Sequence, residues 1–258
     1  MVVDGHVHLE EELPVSGLIE TMDAAGIDQA VLLAAAQVPL PRMPRRLAFF
    51  RSCLDVKALR MPVYRIASKT RPKHYERPDN EPVFEAARQH PDRLLPFAFV
   101  NPALGQEAHD ELDRRLGEAR GVKLHVWFHG YRLTDALSIL KRAESAGLPV
   151  LAHLGLGPPE DVERVLDRCP ELKLVLAHAG IPHFERLWRI QSPRLLFDIA
   201  GPLVPRSMPG QLLRTVGPGR VVYGSDSPIG IRLPEGHGYD LPELPDRAMG
   251  ENLLSLLP

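Results

Sequence analysis

Residues 2 to 8 read Val2-Val3-Asp4-Gly5-His6-Val7-His8, an apolar start followed by two histidines spaced two apart. In an extended strand successive side chains alternate faces, so His6 and His8 point the same way and can grip one ion together. Val2 and Val3 mark the strand as buried. A His-x-His pair alone is equally well read as the polar end of an ordinary strand, so the rest of the chain decides its meaning.

Moving outward, Ser16 to Gly26 sets Leu18, Ile19 and Met22 at helical spacing, with Ser16 able to cap the helix and Gly26 able to stop it. Ala30 to Ala34 then reads as a second buried strand, completing a βαβ unit. The pattern recurs. Short apolar runs at Arg93–Asn101, Gly121–Val126, Pro149–His153, Lys173–His178, Leu195–Ile199 and Val221–Gly224 are separated by helical patterns. Those patterns cover Gln106–Leu116, Thr134–Gly147, Pro159–Cys169, His183–Ile190 and Pro209–Val216, with a closing helix near Asn252–Leu257. Eight such units in 258 residues predict an α/β fold, a (β/α)8 TIM barrel. An open doubly wound sheet is the rival, but no Gly-rich phosphate loop follows the first strand. Two units resemble each other, Val150-Leu151-Ala152-His153-Leu154-Gly155 and Val175-Leu176-Ala177-His178-Ala179-Gly180, at an offset of 25 residues.

The regular pattern is interrupted after strand 2 by residues 37–80, too long for an ordinary βα loop and rich in Pro and Arg. Leu47, Phe50 and Leu54 predict one helix from about Pro44 to Arg60, followed by an irregular tail through Tyr75. From Arg42 to Arg77 there are eleven Lys or Arg against two acids, a balance of +9 in a chain whose total is -2. A loop leaving the C-terminal end of a barrel strand begins at the mouth of the barrel. Arg42 and Arg45 are therefore candidates for a cationic rim that binds an anionic substrate.

With 44% apolar and 25% charged residues the chain can bury a large core, and the near-neutral total gives no sign of nucleic acid as a partner. Cys53 and Cys169 are too few for a disulfide framework or a thiolate metal cluster. The longest apolar run, Ala30 to Ala36, is too short to span a bilayer. The expectation is one barrel domain over residues 1–258, cytoplasmic, with free thiols and no membrane partner, and with a homodimer left open.

All strands of a parallel barrel end on one face, so polar residues at their C-termini converge. His6 and His8 end strand 1, Lys123 and His125 strand 4, His153 strand 5 and His178 strand 6, and Asp226 follows strand 8. Three or four imidazoles and a carboxylate suit Zn²⁺ or a similar divalent ion. Lys123 and His125, two apart, share a face and should both meet the substrate, unless Lys123 is a buried partner of Asp198.

Asp4-Gly5-His6-Val7-His8, Gly121-Val122-Lys123-Leu124-His125, the His153 and His178 strand ends and Gly224-Ser225-Asp226-Ser227-Pro228 together resemble the amidohydrolase superfamily, in its amidohydrolase-related branch. His90-Pro91-Asp92-Arg93 and Gly250-Glu251-Asn252-Leu253 extend the resemblance over nearly the whole chain. It implies His6, His8, His153 and Asp226 as ligands of one divalent ion, most simply zinc, and His178 as the histidine that orients or deprotonates the attacking water. A carboxylated strand-4 lysine bridging two ions occurs in the wider superfamily, but this branch implies a single ion. The expected activity is metal-dependent hydrolysis of a small, anionic lactone or ester by an activated water, with Asp226, His178 and Lys123 as catalytic groups and His125 on the substrate. The alternatives are nonoxidative decarboxylation of a small carboxylic acid and, third, a metal-binding barrel without turnover.

Overall fold

The computed structural model describes residues 1–10, 13–35, 54, 56–69, 76–201, 204–228 and 242–258. Eight parallel strands lie in sequence order in one sheet: β1 Val3–His8, β2 Gln29–Leu33, β3 Leu94–Phe99, β4 Gly121–His125, β5 Val150–His153, β6 Leu174–Leu176, β7 Leu195–Asp198 and β8 Val221–Val222. Backbone bonds between β1 and the chain just past β8 bring the ring together. Gly5 N–H donates to Tyr223 O at 2.9 Å, Asp226 N–H to His6 O at 2.8 Å and His8 N–H to Ser227 O at 2.7 Å. The eight-stranded barrel expected from the sequence is thus the observed architecture.

The longer helices are α1 Val15–Ala25, α2 Lys57–Lys69, α3 Glu81–Gln89, α4 Gln106–Arg115, α5 Leu137–Ser145, α6 Glu160–Arg168 and α7 Met208–Val216. Alternation along the strands feeds two apolar layers. Leu32, Ala98, Val122, Ala152 and Leu176 face outward to the helices. Val31, Leu95, Phe97, Leu151, Val175, Leu196 and Val222 fill the barrel interior, where Leu253 and Leu256 of the C-terminal segment join them. That layer is a packed floor. Above it, at the C-terminal ends of the strands, the inward positions become polar.

Three local expectations change. Ser16 does not cap α1, which begins at Val15 after Pro14, although Gly26 ends it in a left-handed conformation (φ 70°) as its position predicts. Helix α3 was not anticipated; Pro82 starts it, and Val83, Phe84, Ala86 and Ala87 are the apolar face that marks it. The tail expected to be irregular contains α2, which runs through Pro62 with Arg60 and Tyr64 buried on one side. A proline in a helix interior removes a hydrogen bond, yet the helix continues past Pro62. Leu54 is helical and buried, whereas the rest of the predicted Pro44–Arg60 helix before residue 54 lies outside the described residues.

Gly121 decides how the barrel floor fits. A Cβ built there would sit 2.4 to 2.7 Å from three atoms of the Phe97 ring, a separation that real atoms do not adopt. Gly121→Ala is therefore expected to destabilise the fold by about 1–3 kcal/mol through overpacking. Denaturant unfolding should also show that Gly121→Ala with Phe97→Leu recovers part of the loss. An additive double variant would mean that the two sites do not share this space.

Candidate active site at the barrel mouth

Alternation would not by itself turn all the histidines inward. Strand β1 pairs Val3 with Gln29 and Asp4 with Ala30, but then Val7 with Leu32 and His8 with Leu33, so it carries one residue more than β2. This bulge lets Val3, on the floor, and His6 and His8, at the mouth, lie on the same inner face. Asp4 holds the bulge: its Oδ1 accepts the N–H of His6 at 3.1 Å and of Ser225 at 2.9 Å. Burial pushes the Asp4 carboxyl up to about 7.

Strand β6 presents the same problem. The pairing Val150–Leu174, Leu151–Val175 and Ala152–Leu176 has an offset of 24, one short of the sequence repeat. His153 is therefore level with Ala177, and His178 falls on the wrong parity. The chain corrects this by passing through left-handed conformations at His178 (φ 54°) and Ala179 (φ 57°). Asp226 is likewise left-handed (φ 59°). Such conformations cost about 1–3 kcal/mol each in non-glycine residues and persist where surrounding bonds impose them. Here His178 N–H donates to Asp198 Oδ1 at 2.6 Å, and Asp226 N–H to His6 O at 2.8 Å.

Three rings are pinned through Nδ1. His6 Nδ1 meets Asp198 Oδ2 at 2.9 Å, His8 Nδ1 meets Ala34 O at 3.1 Å and His178 Nδ1 meets Ala200 O at 2.7 Å. A carbonyl oxygen only accepts, so the Nδ1 of His8 and of His178 donates, which leaves the Nε2 lone pair of each as the coordinating position. Asp226 Oδ1 lies 3.6 Å from His6 Nε2 and 3.9 Å from His8 Nε2. Two ligands each about 2.0–2.2 Å from a common ion can be no more than about 4.4 Å apart, so these separations fit one small divalent cation. Among the described residues His6, His8 and Asp226 form one group able to hold an ion, and His6, His178 and Asp198 form another. His153 is in neither set. Its ring stands between those of His178 and His125, with centroids at 4.4 and 4.2 Å.

Burial supplies the neutral imidazoles a metal needs. It pushes His6, His125 and His153 well below the ordinary imidazole range and His8 down to about 3, with the Lys123 charge and neighbouring rings adding to the effect. Burial also pushes the Asp226 carboxyl up, an effect that Lys123 opposes, and pushes Lys123 down, an effect that Asp198 and Asp226 oppose. Lys123 is fully buried with Nζ 3.1 Å from His6 Nε2. The alternative of a simple pairing with Asp198 is not the arrangement found, because the Asp198 oxygens bond to His6 and to backbone.

His125 is different in kind. Its Nδ1 accepts the N–H of Phe128 at 3.1 Å, so the neutral ring carries its proton on Nε2 and is a donor rather than a ligand. The ring stacks flat on Phe128 at 3.9 Å, and Trp127 packs at 5.5 Å on His153. This aromatic wall is anchored by Arg132, which grips the fully buried Asp161 at 2.6 and 3.1 Å. Among the described residues Trp127 Nε1 and the Tyr131 hydroxyl are buried without a hydrogen-bond partner.

Sequence reasoning thus named residues that do meet at the mouth: His6, His8, Lys123, His125, His153, His178 and Asp226. Arg42 and Arg45 lie outside the described residues. It gave no role at the mouth to Asp4 or Gly201, and it considered Asp198 only as a partner of Lys123, not of His6 and His178. Asp4 sat in the quoted motif but read only as a strand residue, and Asp198 is the one acid inside the otherwise apolar β7.

An eight-stranded barrel with imidazoles and a carboxylate gathered at the C-terminal mouth defines the class as a (β/α)8 barrel enzyme with a metal-competent centre. The chain belongs to the amidohydrolase family, whose model matches residues 3–248. Among solved structures, an uncharacterised TIM-barrel protein from Bordetella bronchiseptica is similar at 19% identity, over 99% of this chain and 98% of that chain, with a TM-score of 0.69. A candidate 2-pyrone-4,6-dicarboxylic acid hydrolase from Pseudomonas putida is similar at 17% identity over 99% and 90% of the two chains, with a TM-score of 0.52. The 5-carboxyvanillate decarboxylase from Novosphingobium aromaticivorans, solved with bound manganese, is similar at 14% identity over 89% and 87%, with a TM-score of 0.56. At these identities the likeness is one of fold. No curated protein matches the chain in sequence. Among the described residues no helix is long and apolar enough to cross a membrane.

Gly201, at φ 88°, lets His178 and Asp226 approach the backbone: an added Cβ would lie 2.8 Å from both His178 Nδ1 and Asp226 Oδ2. Gly201→Ala should displace both groups and weaken divalent-ion binding by about 10–100-fold. Titration calorimetry with zinc and manganese checks this; wild-type affinity in the variant would mean that the contact does not shape the site.

Proposed function

We propose that the protein is a metal-dependent hydrolase acting on a small, anionic lactone or related ester. The observation that carries this is the set of three Nδ1-anchored imidazoles with Asp226 at 3.6 and 3.9 Å from two of them. His6, His8 and Asp226 would hold one divalent ion, with His153, whose ring lies beside His178, as the fourth ligand. Zinc suits an imidazole and carboxylate set, and manganese, bound by the decarboxylase of similar fold, suits it as a second choice. A bound ion would supply Lewis acidity, polarising a carbonyl and making a water acidic near neutral pH.

The chain's own groups account for the remaining steps. Asp226, or His178 through Nε2, takes the proton as water adds to the carbonyl carbon, and returns it to the alkoxide oxygen when the ester C–O bond breaks. Lys123, as an ammonium, stabilises the oxyanion between these events. His125 donates from Nε2 to a substrate oxygen, and the aromatic wall with Trp127 Nε1 and the Tyr131 hydroxyl holds a planar, polar-edged substrate. A decarboxylase is the second reading, favoured by the decarboxylase of similar fold. There Lys123, with a bound ion, would stabilise the carbanion left when the C–C bond to CO₂ breaks, and a proton from Asp226 or His178 would complete the product.

Metal analysis of the purified protein should find about one divalent ion per chain, lost in His6→Ala/Asp226→Ala. The loaded enzyme should then release acid from lactones in a pH-stat screen. CO₂ release from aromatic or dienoic acids with no lactone turnover would reverse the order of the two readings, and full metal content in the double variant would remove the centre.

The excess of +9 between Arg42 and Arg77 supports a carboxylate on that substrate, drawn in by a cationic rim that includes Arg42 and Arg45. Steering by exposed charge weakens as salt screens it, over a Debye length of about 8 Å at physiological ionic strength. kcat/KM should therefore fall with added salt, and less steeply when Arg42, Arg45 and Arg46 are neutralised. A flat salt profile shared by both proteins would leave those cations without a part in selection.

A further inference from the structure

Asp198, fully buried at the end of β7, divides its two oxygens between unlike partners. Oδ1 accepts two backbone N–H groups, from His178 at 2.6 Å and from Ala200 at 3.0 Å. Oδ2 faces His6 Nδ1 at 2.9 Å. On the far side of the same ring, His6 Nε2 lies 3.1 Å from Lys123 Nζ and 3.6 Å from Asp226 Oδ1.

We propose that Asp198 is a positioning residue that selects the Nδ1–H tautomer of His6 and so directs the Nε2 lone pair at the ion site. The proposal deepens the metal-dependent reading above and rests on it. Two features of the geometry support the assignment independently. A carboxylate oxygen at 2.9 Å can only accept, so Nδ1 must bring the proton. An ammonium at 3.1 Å can only donate, so Nε2 must bring the lone pair. Both neighbours therefore ask for the same tautomer. The alternative would set N–H against an ammonium on one side and leave two acceptors facing each other on the other.

The paired N–H donors at Oδ1 make the idea unusually testable. In Asp198→Asn, an isosteric change, the amide oxygen must take the Oδ1 place, because both backbone donors require an acceptor there. The amide NH₂ is then forced into the Oδ2 place and points at His6 Nδ1. Donor meets donor unless the His6 proton moves to Nε2, which removes the lone pair from the ion site. Packing and the bonds to His178 and Ala200 are retained, so a role limited to holding the backbone predicts no change.

The test uses the full-length, metal-free protein labelled with ¹⁵N-histidine. Long-range ¹H–¹⁵N spectra report the His6 tautomer, assigned by the signal lost in His6→Gln. The wild type should show Nδ1–H at His6 and Asp198→Asn should show Nε2–H, with the unfolding midpoint largely kept. Zinc affinity of the variant should fall by about 10–100-fold. An Nε2–H His6 in the wild type overturns the proposal without any variant, so it stands or falls even should Asp198→Asn fail to fold. Unchanged tautomer or zinc affinity within twofold in a folded Asp198→Asn overturns it as well. Absence of zinc and manganese binding by the wild type sinks the metal reading instead, and the tautomer spectra still judge what Asp198 does to His6.

Discussion

Strand alternation is the constraint on which the rest of this site depends. In a closed parallel barrel every second side chain faces the axis, and the floor residues Val3, Val175 and Val222 fix which half of each strand that is. A histidine one position out of phase would point into the helical layer. The chain meets the constraint locally on three strands: by a bulge in β1, by left-handed residues after β6, and by the left-handed Asp226 after β8. Each device is held by a hydrogen bond to another part of the mouth, so the irregularities depend on one another. Backbone strain and site geometry are here the same feature.

The second requirement is electrostatic. Five histidines, Lys123 and the acids Asp4, Asp198 and Asp226 are buried together, and an unpaired buried ion costs several kcal/mol. The cost is limited in two ways. Burial keeps the imidazoles neutral, and the two strongest potential charges, Lys123 and Asp226, are close enough for each to hold the other partly in its charged form. What remains is a set of imidazole lone pairs beside Asp226, for which Lys123 is the neighbouring positive charge among the described residues. A divalent cation satisfies that arrangement better than a proton does, since it accepts several lone pairs at once.

The mouth is also built asymmetrically. On the β4 and β5 side, the one-turn helix Val126–His129 carries the aromatic wall and is capped by His125 itself. The Arg132 pair with Asp161 ties that segment to the start of α6, so this loop at the mouth is anchored by a charge-assisted bond at its base. Gly155 is required beside it, because an added Cβ would strike Trp127 at 2.5 Å. On the β2 side, α2 brings Arg60 over the ring of Phe184 at 5.4 Å, linking the insertion to the segment after β6.

The sequence by itself determined the order and number of strands, because eight apolar runs separated by helical periodicity admit few other packings. It also determined which residues collect at the mouth, because in a parallel barrel the end of a strand is a place as well as a position in the chain. It did not reveal how those residues face one another. The repeat that aligns His153 with His178 is off by one from the real register, and nothing in either segment announces this. Register belongs to the pairing of strands, and only the closed barrel fixes it. The partners of Asp198 were beyond the sequence for the same reason: it could be suspected beside Lys123, but His6 and His178 are 192 and 20 residues away, so the bonds that give it a role exist only once β1, β6 and β7 are assembled.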